Sequence, residues 1–132
     1  MGVTKLVGIV LVSHSSELAR GLAEVAAQVA GPEVRVEPAG GGPDGSLGTS
    51  GDVVREAIAR ADAGAGVVVL ADLGSAVLTV RHLLKTELNG QVRLVDAPFV
   101  EGAVSAAVTS AAGAALDDVA RAAEEARGAR KL

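Results

Sequence analysis

Short runs of β-branched residues alternate with segments of helical pattern, and this alternation limits the fold more than any other feature of the chain. The runs at residues 6–12 and 67–71 are apolar without interruption, which predicts two strands buried on both faces. Shorter strands are predicted at residues 34–36 and 92–95. Strands that alternate with helices in this way favour a parallel sheet joined by right-handed crossovers.

Each predicted strand is followed by a helical pattern. The first helix is predicted to bury an apolar stripe made of Leu18, Leu22, Val25 and Val29. The third is predicted to bury a stripe made of Val77, Leu78, Arg81, Leu84 and Leu88, and to end at residues 89–90. The second helix begins near residue 51 with Asp52 as its N-cap, and an Ala-rich helical region runs from Pro98 with a break near residues 113–117.

The resulting order, β-α-β-α-β-α-β-α-α, predicts the fold class. We expect an α/β protein with a four-stranded, mainly parallel sheet and helices on both faces. The length of 132 residues fits one domain, predicted over residues 1–132 with its core at 5–127.

Composition excludes several classes of function. The formal net charge is −4 and no basic stripe is present, which argues against nucleic-acid binding. The absence of cysteine removes disulfides and thiolate chemistry. No stretch resembles a signal peptide or reaches the roughly 18 apolar residues of a membrane span, so we expect a cytoplasmic protein without membrane contact.

Chemistry-bearing residues cluster where the predicted strands end. They are His14 and Ser15 after the first strand, Gly48 and Thr49 in a glycine-rich loop after the second, Asp72, Gly74 and Ser75 after the third, and Asp96 at the end of the fourth. Because the carboxyl ends of parallel strands meet at one edge of a sheet, we expect these residues to converge there.

The predicted edge suits phosphoryl transfer. A neutral imidazole such as that of His14 is a nucleophile near neutral pH, and Asp72 is expected to orient it through the other ring nitrogen. Helix-start amides and hydroxyl groups suit an anion such as phosphate. Each residue also has an ordinary interpretation: a structural histidine, an N-capping Asp or Ser, an idle loop.

Other polar residues carry weaker signals. His82 falls within a helical pattern and is interpreted as a helix-surface residue, while Asp96 is expected to shape a turn. The spacing of His14, Asp72 and Asp96 does not indicate a metal site, and the P-loop signature is absent. We therefore expect no metal, no cofactor and no nucleotide site in this chain.

Four segments carry a resemblance to a known family: "VLVSHSSELARG", "GGPDGSLGTSGD", "VVVLADLGSAVLT" and "LVDAPFVEGA". In order and spacing they resemble the EIIA domain of the phosphotransferase subunit of phosphoenolpyruvate-dependent dihydroxyacetone kinase, within the mannose-type EIIA family. The resemblance spans residues 5–127. It implies that His14 is the phosphorylated residue, that Asp72 holds its other ring nitrogen, and that Gly48, Thr49, Gly74 and Ser75 line the phosphate site. Ser15 is expected to contribute there as well, because it stands at a helix start.

The same resemblance implies the partners. The donor would be the histidine-containing phosphocarrier protein, a separate protein from this chain. The acceptor would be ADP bound in a partner kinase subunit, and the carrier would be a homodimer. An apolar rim of Leu47, Leu73 and Val77 would suit transient docking of these partners.

Three alternatives stay open at the level of sequence. The first is an EIIA subunit of a mannose-type sugar transporter, whose acceptor would be an EIIB protein. The second is a small tetrapyrrole metal chelatase, because "VSHSS" faintly resembles the opening of such enzymes. The third is a binding module in which His14 carries no chemistry.

Overall fold

The computed structural model describes residues 5–86 and 91–132, which form an α/β fold. The strands are β1 (Gly8–Ser13), β2 (Val36–Gly40), β3 (Val67–Ala71) and β4 (Val92–Leu94). The helices are α1 (Ser16–Ala30), α2 (Gly51–Ala61), α3 (Gly74–Thr86), α4 (Phe99–Ala111) and α5 (Leu116–Glu125), followed by a 3₁₀ turn at Ala126–Gly128.

The four strands make one sheet in the order β2-β1-β3-β4, and each pairing between them is parallel. Strand β1 lies in the middle, and all six of its residues are buried. Alternate side chains of β1 point to opposite faces: Ile9 and Leu11 join one core cluster, and Val10 and Val12 join the other. This is why the sequence of β1 is apolar throughout and does not alternate with polar residues.

Helices cover both faces of the sheet, as predicted. Residues of α1, α4 and α5 form the first core cluster, and residues of α2 and α3 form the second. The predicted fold class is therefore confirmed for the described part of the chain, while the extent of the domain stays a prediction. No helix within residues 5–86 and 91–132 is long and apolar enough to cross a bilayer.

The predicted stripe of α1 is wrong in detail. Leu18, Val25 and Val29 are 46%, 49% and 55% exposed. The residues of α1 that are buried are Ala19, Leu22, Ala23 and Ala26. The face that packs on the sheet is therefore made mostly of alanine, whose small side chain lets the helix lie close to the strands.

The stripe predicted for the third helix is also displaced. Helix α3 buries Ala76, Val80 and Leu83, whereas Leu78 is 67% exposed and Arg81 is exposed. The predicted positions Leu88 and 89–90 lie outside the described residues. In α2 the N-cap is Ser50 and not Asp52, because the Ser50 hydroxyl accepts the N–H of Val53 at 3.4 Å.

Candidate functional site

His14 occupies a two-residue turn between β1 and α1. It follows Ser13, the last residue of β1, and precedes Ser15, the N-cap of α1. The hydroxyl of Ser15 accepts the N–H of Leu18 at 3.3 Å, as an N-cap does, and keeps its own O–H free to donate. His14 itself is half-buried, at the carboxyl end of the central strand where the sequence predicted it.

Asp72, directly after β3, is the second residue that the sequence singled out. Its Oδ2 accepts the Ser13 hydroxyl at 2.7 Å and the backbone N–H of His14 at 3.1 Å. Its Oδ1 accepts the backbone N–H of Leu73 at 2.7 Å. The carboxylate therefore ties the end of β3 to the end of β1, two strands that pair side by side.

The contact with Asp72 differs from the expected one. We expected the carboxylate to hold a ring nitrogen of His14, but it holds the main chain of His14 instead. The ring Nδ1 is buried and has no hydrogen-bond partner among the described residues. Nε2 is the ring nitrogen that is not buried in this way.

The glycine-rich loop after β2 is fastened to the same turn at two points. The N–H of Gly41 donates to the Ser13 carbonyl at 3.2 Å, and the N–H of Gly48 donates to the His14 carbonyl at 2.9 Å. Gly48 has a φ of 143°, a value that favours glycine. The loop therefore brings Thr49 beside the histidine turn, as the sequence predicted.

Gly40, at the end of β2, shows how closely the chain packs here. A Cβ at this position would lie 2.5 Å from the carbonyl oxygen of Ser15, so only glycine lets β2 approach the start of α1.

The glycines at residues 40–45 also match G-x-G-x-x-G, but the next helix begins only at Gly51. They do not open a helix, and so lack the context of a dinucleotide-binding loop.

The tip of the loop has its own order. Oδ1 of Asp44 accepts the backbone N–H of Ser46 at 3.1 Å and also the hydroxyl of that serine. These hydrogen bonds hold the pKa of the Asp44 carboxyl below its ordinary value of 3.8, because they stabilise the charged form. Leu47 follows directly and is 74% exposed.

Thr49 carries the second unpartnered group of the site. Its Oγ1 is buried and, like Nδ1 of His14, has no hydrogen-bond partner within the described ranges. A buried polar atom without a partner is uncommon in proteins and costs stability. The two atoms lie in neighbouring parts of the structure, since Thr49 follows Gly48, whose N–H donates to the His14 carbonyl.

Gly74 and Ser75 form the first turn of α3, two residues beyond Asp72. Both are exposed, and the first turn of a helix leaves its amides without helical acceptors. Of the predicted phosphate ligands, the Thr49 hydroxyl is buried, while these amides and the hydroxyls of Ser15 and Ser75 are able to donate to an anion. The Gly48 amide is not, because it already donates to the His14 carbonyl.

Asp96 and His82 are not hydrogen-bonded to His14 or Asp72 in the described part of the chain. Arg127 donates to the Asp96 carbonyl and pairs with its carboxylate at 3.5 Å, so the chain's C-terminal turn holds that residue. His82 lies on α3 and lines a groove of about 370 Å³ with Thr49 and Leu78. No group of three metal-ligating residues occurs in the part of the chain that the structure describes.

One residue of the site escaped sequence reasoning. Ser13 was assigned no role from the sequence, yet it is fully buried and its hydroxyl contacts both Asp72 and the N–H of Ser15. The signal was present as a hydroxyl at the end of an otherwise apolar strand, immediately before His14.

These features define a class of protein built on an open parallel α/β sheet. At the edge where its strands end, the sheet carries a half-buried histidine whose main chain is held by a carboxylate and by a glycine-rich loop. Residues 8–120 match the EIIA-man family, described as the PTS system fructose IIA component. The chain belongs to the EIIA-man family.

Three curated relatives of the chain are each named as the DhaM subunit of a dihydroxyacetone kinase. The chain is 40% identical over 108 residues to "PEP-dependent dihydroxyacetone kinase 2, phosphoryl donor subunit DhaM" of Listeria innocua, covering 80% of this chain and 86% of that protein. It is 34% identical to the phosphotransferase subunit DhaM of Lactococcus lactis, with 85% and 89% covered. The DhaM subunit of Escherichia coli is 39% identical over 86% of this chain, but the match spans only 25% of that longer protein.

Solved structures agree on the fold. The crystal structure of EF1359, a protein of unknown function, superposes with a TM-score of 0.83 at 34% identity, covering 96% of this chain and 98% of the other. A sigma-54 interaction domain protein from Enterococcus faecalis superposes with a TM-score of 0.67 over 92% and 90% of the chains. At 14% identity the second likeness concerns the fold alone.

Proposed function

We propose that this chain is the phosphoryl-donor subunit of a phosphoenolpyruvate-dependent dihydroxyacetone kinase, acting as a cytoplasmic phosphoryl carrier. His14 would accept a phosphoryl group from the histidine-containing phosphocarrier protein and pass it to ADP bound in a partner kinase subunit. The observation that carries the proposal is the half-buried imidazole of His14 at the strand-end edge, whose Nδ1 is buried without a partner, and we assign the reaction to Nε2. The names of the relatives at 34–40% identity support the same reaction.

The first transfer begins with the lone pair on Nε2 of His14. It attacks phosphorus, the bond between phosphorus and the donor's imidazole nitrogen breaks, and that electron pair returns to the donor ring. In the second transfer a terminal phosphate oxygen of ADP attacks the same phosphorus. The N–P bond to His14 then breaks, ATP forms in the partner, and the imidazole is restored.

For Nε2 to be the nucleophile, Nδ1 carries the ring proton. That N–H has no acceptor among the described residues of the unphosphorylated protein. Asp72 acts one step away from the ring, because its carboxylate fixes the His14 main chain and so the direction from which the ring projects. We therefore assign Asp72 a positioning role in place of direct contact with the ring.

Phosphate would be held by groups whose hydrogens the fold leaves without an acceptor. These are the hydroxyls of Ser15, Thr49 and Ser75 and the first amides of α3 at Gly74 and Ser75. Hydroxyls and helix-start amides stabilise the charge on the phosphoryl oxygens during transfer. Gly48 contributes by anchoring the loop to the His14 carbonyl.

Partners would dock on the apolar rim. Leu47 and Leu73 are 74% and 58% exposed, and each neighbours a residue that is hydrogen-bonded within the site. Exposed leucines beside a reacting group suit a short-lived complex, because they bury apolar area without buried charge. We also propose that the carrier is a homodimer, as its resemblance to the family implies.

The names of the relatives favour the dihydroxyacetone kinase over the mannose-type transporter, and no observation favours the tetrapyrrole chelatase. The decisive experiment loads the protein with phosphoenolpyruvate, enzyme I and the phosphocarrier protein, then offers two acceptors. We expect ATP to form in the ADP-bearing kinase subunit and little phosphate to reach an EIIB protein. Transfer to EIIB alone would overturn the assignment, and a binding module would take up no phosphate at all.

A further inference from the structure

The hydroxyl of Ser13 lies at the centre of the hydrogen bonds that define the His14 turn. Ser13 is the last residue of β1 and is fully buried. Its hydroxyl donates to Oδ2 of Asp72 at 2.7 Å and accepts the backbone N–H of Ser15 at 3.0 Å. A single hydroxyl therefore joins the end of β3 to the N-cap of α1.

Hydrogen bonds to Asp72 and Ser13 hold the main chain before and after the His14 side chain. On one side, Asp72 accepts the main-chain N–H of His14 at 3.1 Å; on the other, the N–H of Ser15 is held by Ser13 itself. The His14 carbonyl accepts the N–H of Gly48. The N–H groups of His14 and Ser15 are thus fixed by Asp72 and Ser13, which are themselves hydrogen-bonded to each other.

We propose that Ser13 is a positioning residue for phosphoryl transfer by His14, acting chiefly through Asp72. This inference rests on the proposed function and assigns a role to a residue that touches no reactant. Without its hydroxyl, Oδ2 of Asp72 loses one donor and the N–H of Ser15 loses its acceptor. The turn then has several arrangements, and fewer molecules hold the ring in line for attack.

Serine at position 110 supplies a matched control. Ser110 is also fully buried, and its hydroxyl donates to the Val7 carbonyl at 2.6 Å, between α4 and the segment before β1. Ser110→Ala and Ser13→Ala therefore remove the same atom from equally buried sites. If the role of Ser13 were merely structural, both variants would lose stability, and Ser13→Ala would slow phosphoryl transfer no more than Ser110→Ala does.

The test measures kcat and KM for phosphorylation by the phosphocarrier protein, together with the midpoint of thermal unfolding. We expect Ser13→Ala to lower kcat about tenfold, the loss of one oriented hydrogen bond, with KM unchanged because Ser13 is not on the surface. We expect the midpoint of thermal unfolding to fall by about the same amount in Ser110→Ala and Ser13→Ala, and kcat to change less than about twofold in Ser110→Ala.

A double variant tests the route of the effect. If Ser13 acts through Asp72, Ser13→Ala/Asp72→Asn will be hardly slower than Asp72→Asn alone. Effects that multiply, or a kcat of Ser13→Ala equal to that of Ser110→Ala, would overturn the inference.

If the unaltered protein takes up no phosphate, the proposed function has failed and the inference is judged by amide NMR. Ser13→Ala should then shift and broaden the His14 and Ser15 amide resonances, Ser110→Ala should not, and unshifted resonances would refute it.

Discussion

The carboxylate of Asp72 binds the main chain of His14 and leaves the imidazole alone: Oδ2 accepts the backbone N–H of His14 at 3.1 Å. The two residues are 58 positions apart in the chain and meet because β1 and β3 pair in parallel and end together. A carboxylate placed in this way fixes the point from which the ring projects, so its removal affects transfer through geometry.

Asp72→Asn should slow phosphorylation of His14 by about 10- to 100-fold, the range that corresponds to losing hydrogen bonds to a charged group. In the unaltered protein three donors share the two carboxylate oxygens of Asp72, whereas the neutral amide of asparagine has only one acceptor oxygen. Stopped-flow or quench kinetics with the phosphocarrier protein checks this. Asp62→Asn is the control, because Asp62 also accepts a main-chain N–H, that of Gly64 at 2.8 Å, after the end of α2. Equal rates in the two variants would count against Asp72.

Thr49→Val should leave thermal stability unchanged or slightly raised and should lower the transfer rate. The Thr49 hydroxyl is buried without a partner in the described structure, so removing it loses no hydrogen bond. A phosphoryl group on His14 would supply that partner. Thr49→Ser, which keeps the hydroxyl, should retain most of the activity. A Val variant that is clearly less stable yet transfers at the normal rate would contradict this account.

Leu47→Ser and Leu73→Ser should each raise KM for the phosphocarrier protein about fivefold with little change in kcat, because each removes apolar area from the docking rim. Val29→Ser is the matched control: Val29 is 55% exposed and lies near the end of α1 that is distant from His14. Steady-state kinetics with varied donor concentration separates the two constants. A KM that also rises in the Val29 variant would show that the rim has no special part in docking.

Acid should loosen the tip of the glycine-rich loop only as the pH falls below 3.8. The pKa of Asp44 is held below its ordinary value of 3.8 by the Ser46 hydroxyl and N–H. A carboxyl with a lowered pKa stabilises the folded loop above the ordinary value, and that contribution is lost as the pH falls through the lowered pKa. NMR titration of the Asp44 carboxyl carbon and the Ser46 amide should show one shared transition below 3.8. Asp44→Asn should abolish the transition, and a midpoint above 3.8 would contradict the hydrogen bonds described.

The sheet and its working edge could be predicted because they depend on patterns that are local in the sequence. The uninterrupted apolar runs gave β1 and β3, and the polar residues after them fell at strand ends that a parallel sheet must bring together. Helix faces were harder to predict. Helices α1 and α3 pack with small residues such as Ala19 and Ala76, while Leu18 and Leu78 face outward. A reading that weights large apolar side chains chooses the wrong face in both.

Contacts between individual atoms lay beyond the sequence. The pattern placed Asp72 near His14 but could not distinguish the ring of that histidine from its main chain. That choice depends on the register between β1 and β3 and on the direction of the turn after each. Ser13 was missed for a related reason: a serine at the end of a strand has no helical or alternating pattern to mark it, and its role appears only when Asp72 is beside it.

The central claim, that His14 carries a phosphoryl group on Nε2, is tested most directly by intact-mass measurement after incubation with phosphoenolpyruvate, enzyme I and the phosphocarrier protein. We predict a mass gain of one phosphoryl group that acid removes, that persists in His82→Ala, and that is absent in His14→Ala. Phosphorus NMR of the labelled protein should assign the group to Nε2. No mass gain in the unaltered protein, or an undiminished gain in His14→Ala, would contradict the account.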